Sequence, residues 1–468
     1  MESQTMLPIN GTVETPVGRL AFEGGYPSQE TVEKLYDRLD FQRAVQAYLW
    51  AIPLVSFAQW HEVHETIFGA GDGDVVLYTS YRDKLGLLTS NATTPYILGM
   101  LDLGRTGPVV FDYPKGPTAG AILDFWQRPV TDMGLTGPDK GGGGKYLVLG
   151  PGQSVDDEGG YVVIHAPMNH IFHGFRVLAP DAAEAKSLRD GYQVYPYAKR
   201  SSLPRTRIVT PDGRPWAGQQ PGGLAYWRLL ARMIDSEPVH ERDRMMVAML
   251  KPLGIEKGEP FRPDARQAAI LGEAATVGEA MARVMTYAKR QAAAVVYPGR
   301  HWKWPILLRP DQEADDHTAL DERTSWFYEA VTLSDGMTTT TPGQGQAYIG
   351  AYKDVNGDWL QGDRSYTLHV PPNPPVAQFW GVTAYDADTR CFVDNPDEIA
   401  GRDSRDALTS NPDGSVDIHF GPQPPKGREA NWIPTVAGRG WFAYFRFYAP
   451  TEPYFDGSWQ LPDIVTAK

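Results

Sequence analysis

Three of the chain's ten histidines, His165, His170 and His173, fall in one short stretch, YVVIHAPMNHIFHGFRVL (161–178). A neutral imidazole is both a metal ligand and a general base near neutral pH, so this stretch is a candidate for metal-assisted or acid–base chemistry. Its spacing matches no standard metal motif. In a strand His170 and His173 point to opposite faces, and only a helix would bring them together. Arg176 in the same stretch and Arg128 in LDFWQRP (123–129) are suited to hold an anionic or carbonyl oxygen. Trp126, with Trp302 and Trp304 of GRHWKWP (299–305), could stack on a sugar or an aromatic ring. The competing reading puts these tryptophans and histidines in β-sheet cores.

Two further constellations carry possible ligands. In WHEVHE (60–65), His61, His64 and Glu65 would share one helix face and offer two nitrogens and a carboxylate. The histidines are one position too close for the HExxH of zinc proteases, so a polar helix face competes. In KDVNGDWLQGD (353–363), Asp354, Asn356 and Asp358 alternate like the first ligands of a calcium loop. However, Gly357 comes early and Ser365 stands where the bidentate glutamate belongs. A hairpin turn between the flanking β-like runs fits better. Gly141–Gly144 precede Lys145 and a strand rather than a Gly-Lys-Ser/Thr helix start, so they read as a hairpin loop and not a phosphate loop. Cys391, the single cysteine, reads as a small core residue and can form no intrachain disulfide.

The elements that must position these residues alternate in type. Residues 28–68 have helical periodicity, with Ser28 as a cap and Pro53 expected to divide the run into two helices. From about residue 76, DVVLYTS, YILGMLDL, PVVFDYP, KYLVLGPG and YVVIHAP are short β-rich runs between turn residues, the pattern of a sandwich. The middle returns to helix in GLAYWRLLARMID, ERDRMMVAMLKPLG and the Ala-rich run that follows Pro263. The C-terminal part is β again, in QAYIGAYKD, SYTLHVPP, AQFWGVTAYDA, SVDIHFGP and GWFAYFRFYAP. The expected division is therefore a helical segment (1–75), a first sandwich (76–180), a helical middle (181–325) and a second sandwich (326–468).

The net charge of −13 argues against nucleic acid and anionic membrane surfaces as partners. No stretch reaches the ~18–20 apolar residues of a membrane span. The N-terminus lacks a secretory pattern, so the expected location is cytoplasmic, or periplasmic or secreted if a leader has been removed.

Several motifs, in order, resemble one family. In the C-terminal half they are FWGVTAYD (379–386), FVDNP (392–396), NPDGSVDIHF (411–420), ANWIP (430–434), FRFYAP (445–450) and DGSWQLP (456–462). In the N-terminal half they are AYLWAIPLV (47–55), LDLGRTGPVVFDYP (101–114) and GKYLVLGPG (144–152). Together they are similar to the paired domains of unknown function 1254 and 1214. The resemblance implies an immunoglobulin-like sandwich, a helical region and a C-terminal jelly roll, and brings no established activity. Relatives carry an Asn-Asp-Thr-x-Tyr run where this chain has SNATTPY, keeping Asn91, Thr93, Thr94 and Tyr96 without the aspartate. If that aspartate serves chemistry, the ligand or reaction here differs.

The leading expectation is an enzyme of hydrolase or lyase type acting on a small molecule where domains meet. It would need no organic cofactor, and a divalent metal is compatible. One of His165, His170 or His173 would be the base or metal ligand, with Arg176 or Arg128 on a substrate oxygen. Tyr96, Trp126, Trp302 and Trp304 would cover the substrate. The second expectation is a protein that binds a carbohydrate or hydrophobic metabolite without turnover. The third is an assembly protein or homo-oligomer that buries aromatic surfaces between subunits.

Overall fold

The computed structural model describes residues 7–467. Along the chain, β1 (Gly11–Thr15), β2 (Gly18–Glu23) and β3 (Tyr26–Pro27) form a meander ahead of α1 (Gln29–Val63). Next come β4 (Val75–Tyr78), β5 (Tyr96–Asp102), α2 (Leu103–Thr106), β6 (Val109–Tyr113), β7 (Thr118–Asp124) and β8 (Pro129–Gly134). They are followed by β9 (Gly144–Leu149), β10 (Val162–His165), β11 (His170–Val177), α3 (Ala182–Gly191), β12 (Gln193–Pro196) and β13 (Ile208–Val209). Helices α4 (Gly223–Ser236), α5 (Arg244–Leu250) and α6 (Ala265–Tyr287) precede β14 (Trp302–Lys303) and α7 (Leu320–Glu329). The rest is β15 (Gln346–Ala351), β16 (Tyr366–Val370), β17 (Val376–Asp386), β18 (Gly401–Asp403), β19 (Val416–Gly421), β20 (Trp432–Pro434), β21 (Trp441–Pro450), α8 (Glu452–Phe455) and β22 (Val465–Thr466). The architecture is multidomain α+β, with antiparallel and mixed sheets.

The chain divides into two compact units, Met1–Ala51 with Pro221–Ala282, and Ile52–Gln220 with Arg283–Lys468. In the smaller unit the helices close on Tyr48. Its ring stacks on Tyr226 with centroids 4.0 Å apart, and a Cβ at Gly278 would meet it at 2.6 Å. Trp227 Nε1 donates to the Leu271 carbonyl at 2.8 Å, which ties α4 to α6.

The larger unit holds two layered β regions. In the first, a four-stranded sheet (β10-β9-β6-β12) faces a six-stranded one (β13-β4-β5-β11-β7-β8). Phe111, Tyr146 and Val148 from one sheet and Leu101, Ile122, Ile171 and Phe175 from the other share one core. In the second, sheet β14-β15-β21-β17-β18 faces β20-β19-β16-β22 around Ile349, Val382, Phe445, Phe447, Ile418 and Ile433.

Four sequence expectations change. Helix α1 is one helix through Pro53 and not two. Ala51, Ile52, Leu54 and Val55 are all buried, and the Pro53 carbonyl accepts from Gln127 Nε2 at 2.9 Å. Packing of this kind offsets the ~3 kcal/mol cost of an internal proline. The 353–363 turn does not join β15 and β16 as a hairpin, because they belong to different sheets, although Lys353 and Trp359 form an isolated antiparallel bridge within it. Asp354 instead closes its own loop, accepting from the amides of Asn356 at 2.9 Å and Asp358 at 3.1 Å. The same holds for Gly141–Gly144, which link β8 to β9 across the two layers. Finally, residues 181–325 are helical only in part: β12 and β13 rejoin the first pair of sheets and β14 the second.

Candidate functional site

Within the larger unit, the outer faces of two sheets line a cavity of about 560 Å³. Strand alternation explains how each strand serves both a core and the cavity. On β11, Ile171 and Phe175 enter the first core, while Phe172, Gly174 and Arg176 line the cavity. On β21, Phe445 and Phe447 enter the second core, while Tyr444, Arg446 and Tyr448 line the cavity. Trp60, Leu98, Leu123, Trp326 and Leu333 make much of the rest of the wall apolar.

The polar residues gather around Arg446, which is only 4% exposed. Its Nη2 donates to the Thr89 carbonyl at 2.7 Å and its Nη1 to Thr383 Oγ1 at 3.2 Å. Its guanidinium carbon lies 5.4 Å from the ring centres of Tyr348 and Tyr444 and 5.6 Å from that of Tyr385. Tyr348 is its direct partner across β15 and β21. Thr89, whose carbonyl reaches in, has φ of 39°. A β-branched residue rarely adopts that left-handed backbone, and such strain tends to collect at functional sites. Burial raises the pKa of Tyr348, Tyr385 and Tyr448, opposed by the Arg446 charge, so all three hydroxyls stay protonated at neutral pH.

The SNATTPY segment forms the adjoining wall. Asn91 Oδ1 accepts from the amides of Thr93 at 3.0 Å and Thr94 at 2.8 Å, and its Nδ2 donates to the Tyr96 hydroxyl at 2.6 Å. Arg176 donates to Thr94 Oγ1 at 2.9 Å and lies over the Tyr96 ring. Behind them, buried Lys84 donates to the Thr94 carbonyl at 2.9 Å. Burial, followed by the Arg176 charge, lowers its pKa to about 8. Ser90 presents a buried hydroxyl with no hydrogen-bond partner.

Of the residues singled out from sequence, Tyr96 and Arg176 line this cavity, and the others lie elsewhere. His165 is exposed at the end of edge strand β10. His170 is buried, with Nε2 3.8 Å from Asp102 and its ring 5.4 Å from that of His61. His173 faces the first core: its Nδ1 and the Tyr192 hydroxyl are 2.9 Å apart, and Phe111 meets its ring edge-on. Only glycine fits beneath it, since a Cβ at Gly99 would lie 2.2 Å from its Nε2. Trp126 packs under Arg323 at 4.9 Å, and Arg128 pairs with Glu313 at 3.1 Å. Trp302 is buried in the second core and donates to the Pro462 carbonyl, and Trp304 packs on Tyr454 beside it.

The WHEVHE residues separate because α1 widens into a π-turn over His64–Phe68. His64 Nε2 meets the Tyr78 hydroxyl at 2.9 Å, whereas His61 lies 3.5 Å from Glu65. Among the described residues no group of three or more His, Cys, Asp or Glu side chains is arranged to hold a metal ion. Cys391 is buried, and burial pushes its thiol up to about 12.

Sequence reasoning did not single out Tyr348, Tyr444, Arg446 or Tyr448. The signal was present in WFAYFRFYAP: a run apolar on both strand faces is buried on both, so the arginine within it must be buried too.

Two family matches each include part of this cavity's lining, and Trp60 and the residues from Trp326 to Gln344 fall outside both. Residues 76–196 match the model "Protein of unknown function (DUF1254)" and residues 345–452 match "Protein of unknown function (DUF1214)". The chain belongs to this two-part family. Among solved structures it is similar to the VPA0106 protein of Vibrio parahaemolyticus, at 16% identity and a TM-score of 0.55, covering 92% of this chain and 100% of that one. That likeness shows a shared fold. An uncharacterised protein from Burkholderia cenocepacia aligns at 11% identity and a TM-score of 0.38, over 94% of this chain and 97% of that one. No curated protein matches. Among the described residues no helix is long and apolar enough to cross a membrane.

Proposed function

We propose that the protein binds a small, largely apolar organic molecule in the cavity of its larger unit. The observation that carries this is the cavity itself. Its volume of about 560 Å³ lies inside the ~300–1,000 Å³ usual for ligand pockets, and its walls are mainly apolar with polar groups gathered around Arg446 and Tyr96. Titration calorimetry with 4-phenylbutanol tests it. Saturable 1:1 binding is expected, and Ala121→Trp, which fills the cavity from β7, should abolish it. Unchanged binding by a folded Ala121→Trp protein would overturn the reading.

A hydrolase or lyase working in the same cavity is the second reading, and the unpartnered buried hydroxyl of Ser90 favours it. Tyr96 and Arg176 would hold the substrate, and the reacting groups would be hydroxyls rather than imidazoles. We also read the paired sheets as an immunoglobulin-like sandwich and a jelly roll; their layering around separate cores supports a sandwich in each case.

A further inference from the structure

We propose that the molecule the cavity accepts carries one anionic head, a carboxylate or a sulfonate, bound against Arg446 and Arg176 with its apolar body towards Leu98, Leu123 and Phe172. This rests on the cavity being a binding site.

The argument is one of charge. A charge withdrawn from water is normally paired, because its desolvation costs several kcal/mol. Arg446 stays protonated at any physiological pH, and it lies among neutral tyrosines with a hydroxyl and a carbonyl as its hydrogen-bond acceptors. No carboxylate pairs with Arg446, Arg176 or Lys84 among the described residues. Arg446 and Arg176 line the cavity, and Lys84 lies behind the Thr94 segment, where the Asp83 charge also acts on it. Tyr348 and Tyr448 feel the charges of both arginines, and Lys84 feels that of Arg176. Buried Glu329 is already taken, by Lys289 at 3.6 Å and by the Tyr352 hydroxyl at 2.6 Å.

Asp132 is the acid in the cavity wall. It stands on β8, two strands from the strand of Arg176. Strand spacing puts that at roughly 10 Å, and burial followed by the Asp335 charge raises its pKa. Asp132 therefore stands apart from the side that carries Arg446 and Arg176, and the counter-charge missing on that side is best supplied by a ligand. Two planar guanidinium groups also suit a carboxylate or sulfonate better than a bare halide.

The test compares 4-phenylbutyrate, 4-phenylbutane sulfonate, 4-phenylbutanol and 4-phenylbutylamine by calorimetry on the full chain. Both anions should bind at least 30-fold more tightly than the alcohol, and the amine should bind more weakly than the alcohol. Arg446→Met should remove the preference for anions while alcohol binding persists, which also shows that the variant is folded. Arg446→Lys should restore part of it, and Arg176→Met should reduce it by a smaller factor. If anions and alcohol bind equally, or if Arg446→Met keeps the preference, the anion proposal is overturned and the binding cavity stands. If no member of the series binds, both fail.

Discussion

The molecule treats two buried cations, Lys289 and Arg446, differently. Lys289 is met by Glu329 at 3.6 Å, with Ser325 Oγ at 2.8 Å and the Thr286 carbonyl at 2.9 Å completing its shell. Burial pushes Glu329 up and Lys289 down, and each charge opposes the other's shift. Arg446 has aromatic faces and neutral acceptors but, among the described residues, no acid. The first arrangement is complete within the chain, as a structural pair should be. The second, on the proposal above, is completed by a ligand. A buried charge whose compensation is missing therefore points to a site more specifically than the number of polar groups does. Near the end of α1 the cation Arg105 is likewise met within the chain, by Glu65 at 2.6 Å and by Asp72 at 2.5 Å.

This contrast can be broken at both ends. The largest effect is expected for Glu329→Ala, which strands Lys289. It should cost about 3–5 kcal/mol in urea unfolding, the usual penalty for breaking a buried pair, and adding Lys289→Met should recover most of it. Next comes pH, which probes groups that avoid the problem by staying neutral. Burial lowers His61 to about 4, and His64 and His173 to about 3, from 6.5. A depressed histidine pKa means that the unfolded chain takes up protons first. Stability should therefore be flat above about pH 6.5 and fall as pH drops towards 4, at up to about 1.4 kcal/mol per pH unit for each histidine. Urea midpoints measured from pH 8 to pH 4 check this, and a flat profile would contradict it. The smallest change is expected for Arg446→Met in the ligand-free protein. Without an acid to strand, the midpoint should stay within about 1 kcal/mol of wild type or rise, the opposite sign to Glu329→Ala.

Much of the architecture was legible along the chain. The β-rich runs named from residue 76 became β4, β5, β6, β9 and β10, while β7 and β8 were not picked out, and Ser28 does cap α1, accepting from the Thr31 amide at 3.3 Å. The motifs around FWGVTAYD and FRFYAP identified the family because they fix strand composition and turns, which are local properties. Pro53 was misread for the complementary reason: its helix-breaking tendency is local, whereas the burial that overrides it is not. Of the candidate site, only Tyr96 and Arg176 were named. His170 and His173 drew attention by proximity in sequence, yet a strand sends them to opposite faces.

The sequence by itself determined many of the strands, the start of α1 at its Ser28 cap, and that β21 is apolar on both faces. Those follow from periodicity, caps and turn residues acting over a few positions. Only the tertiary structure decided which outer faces meet, and therefore that Arg176 of β11 and Arg446 of β21 share one cavity wall while Glu329 is already taken by Lys289. Charge compensation acts through space over a few ångströms between residues far apart in the chain, so no local pattern records whether a buried arginine has found its partner.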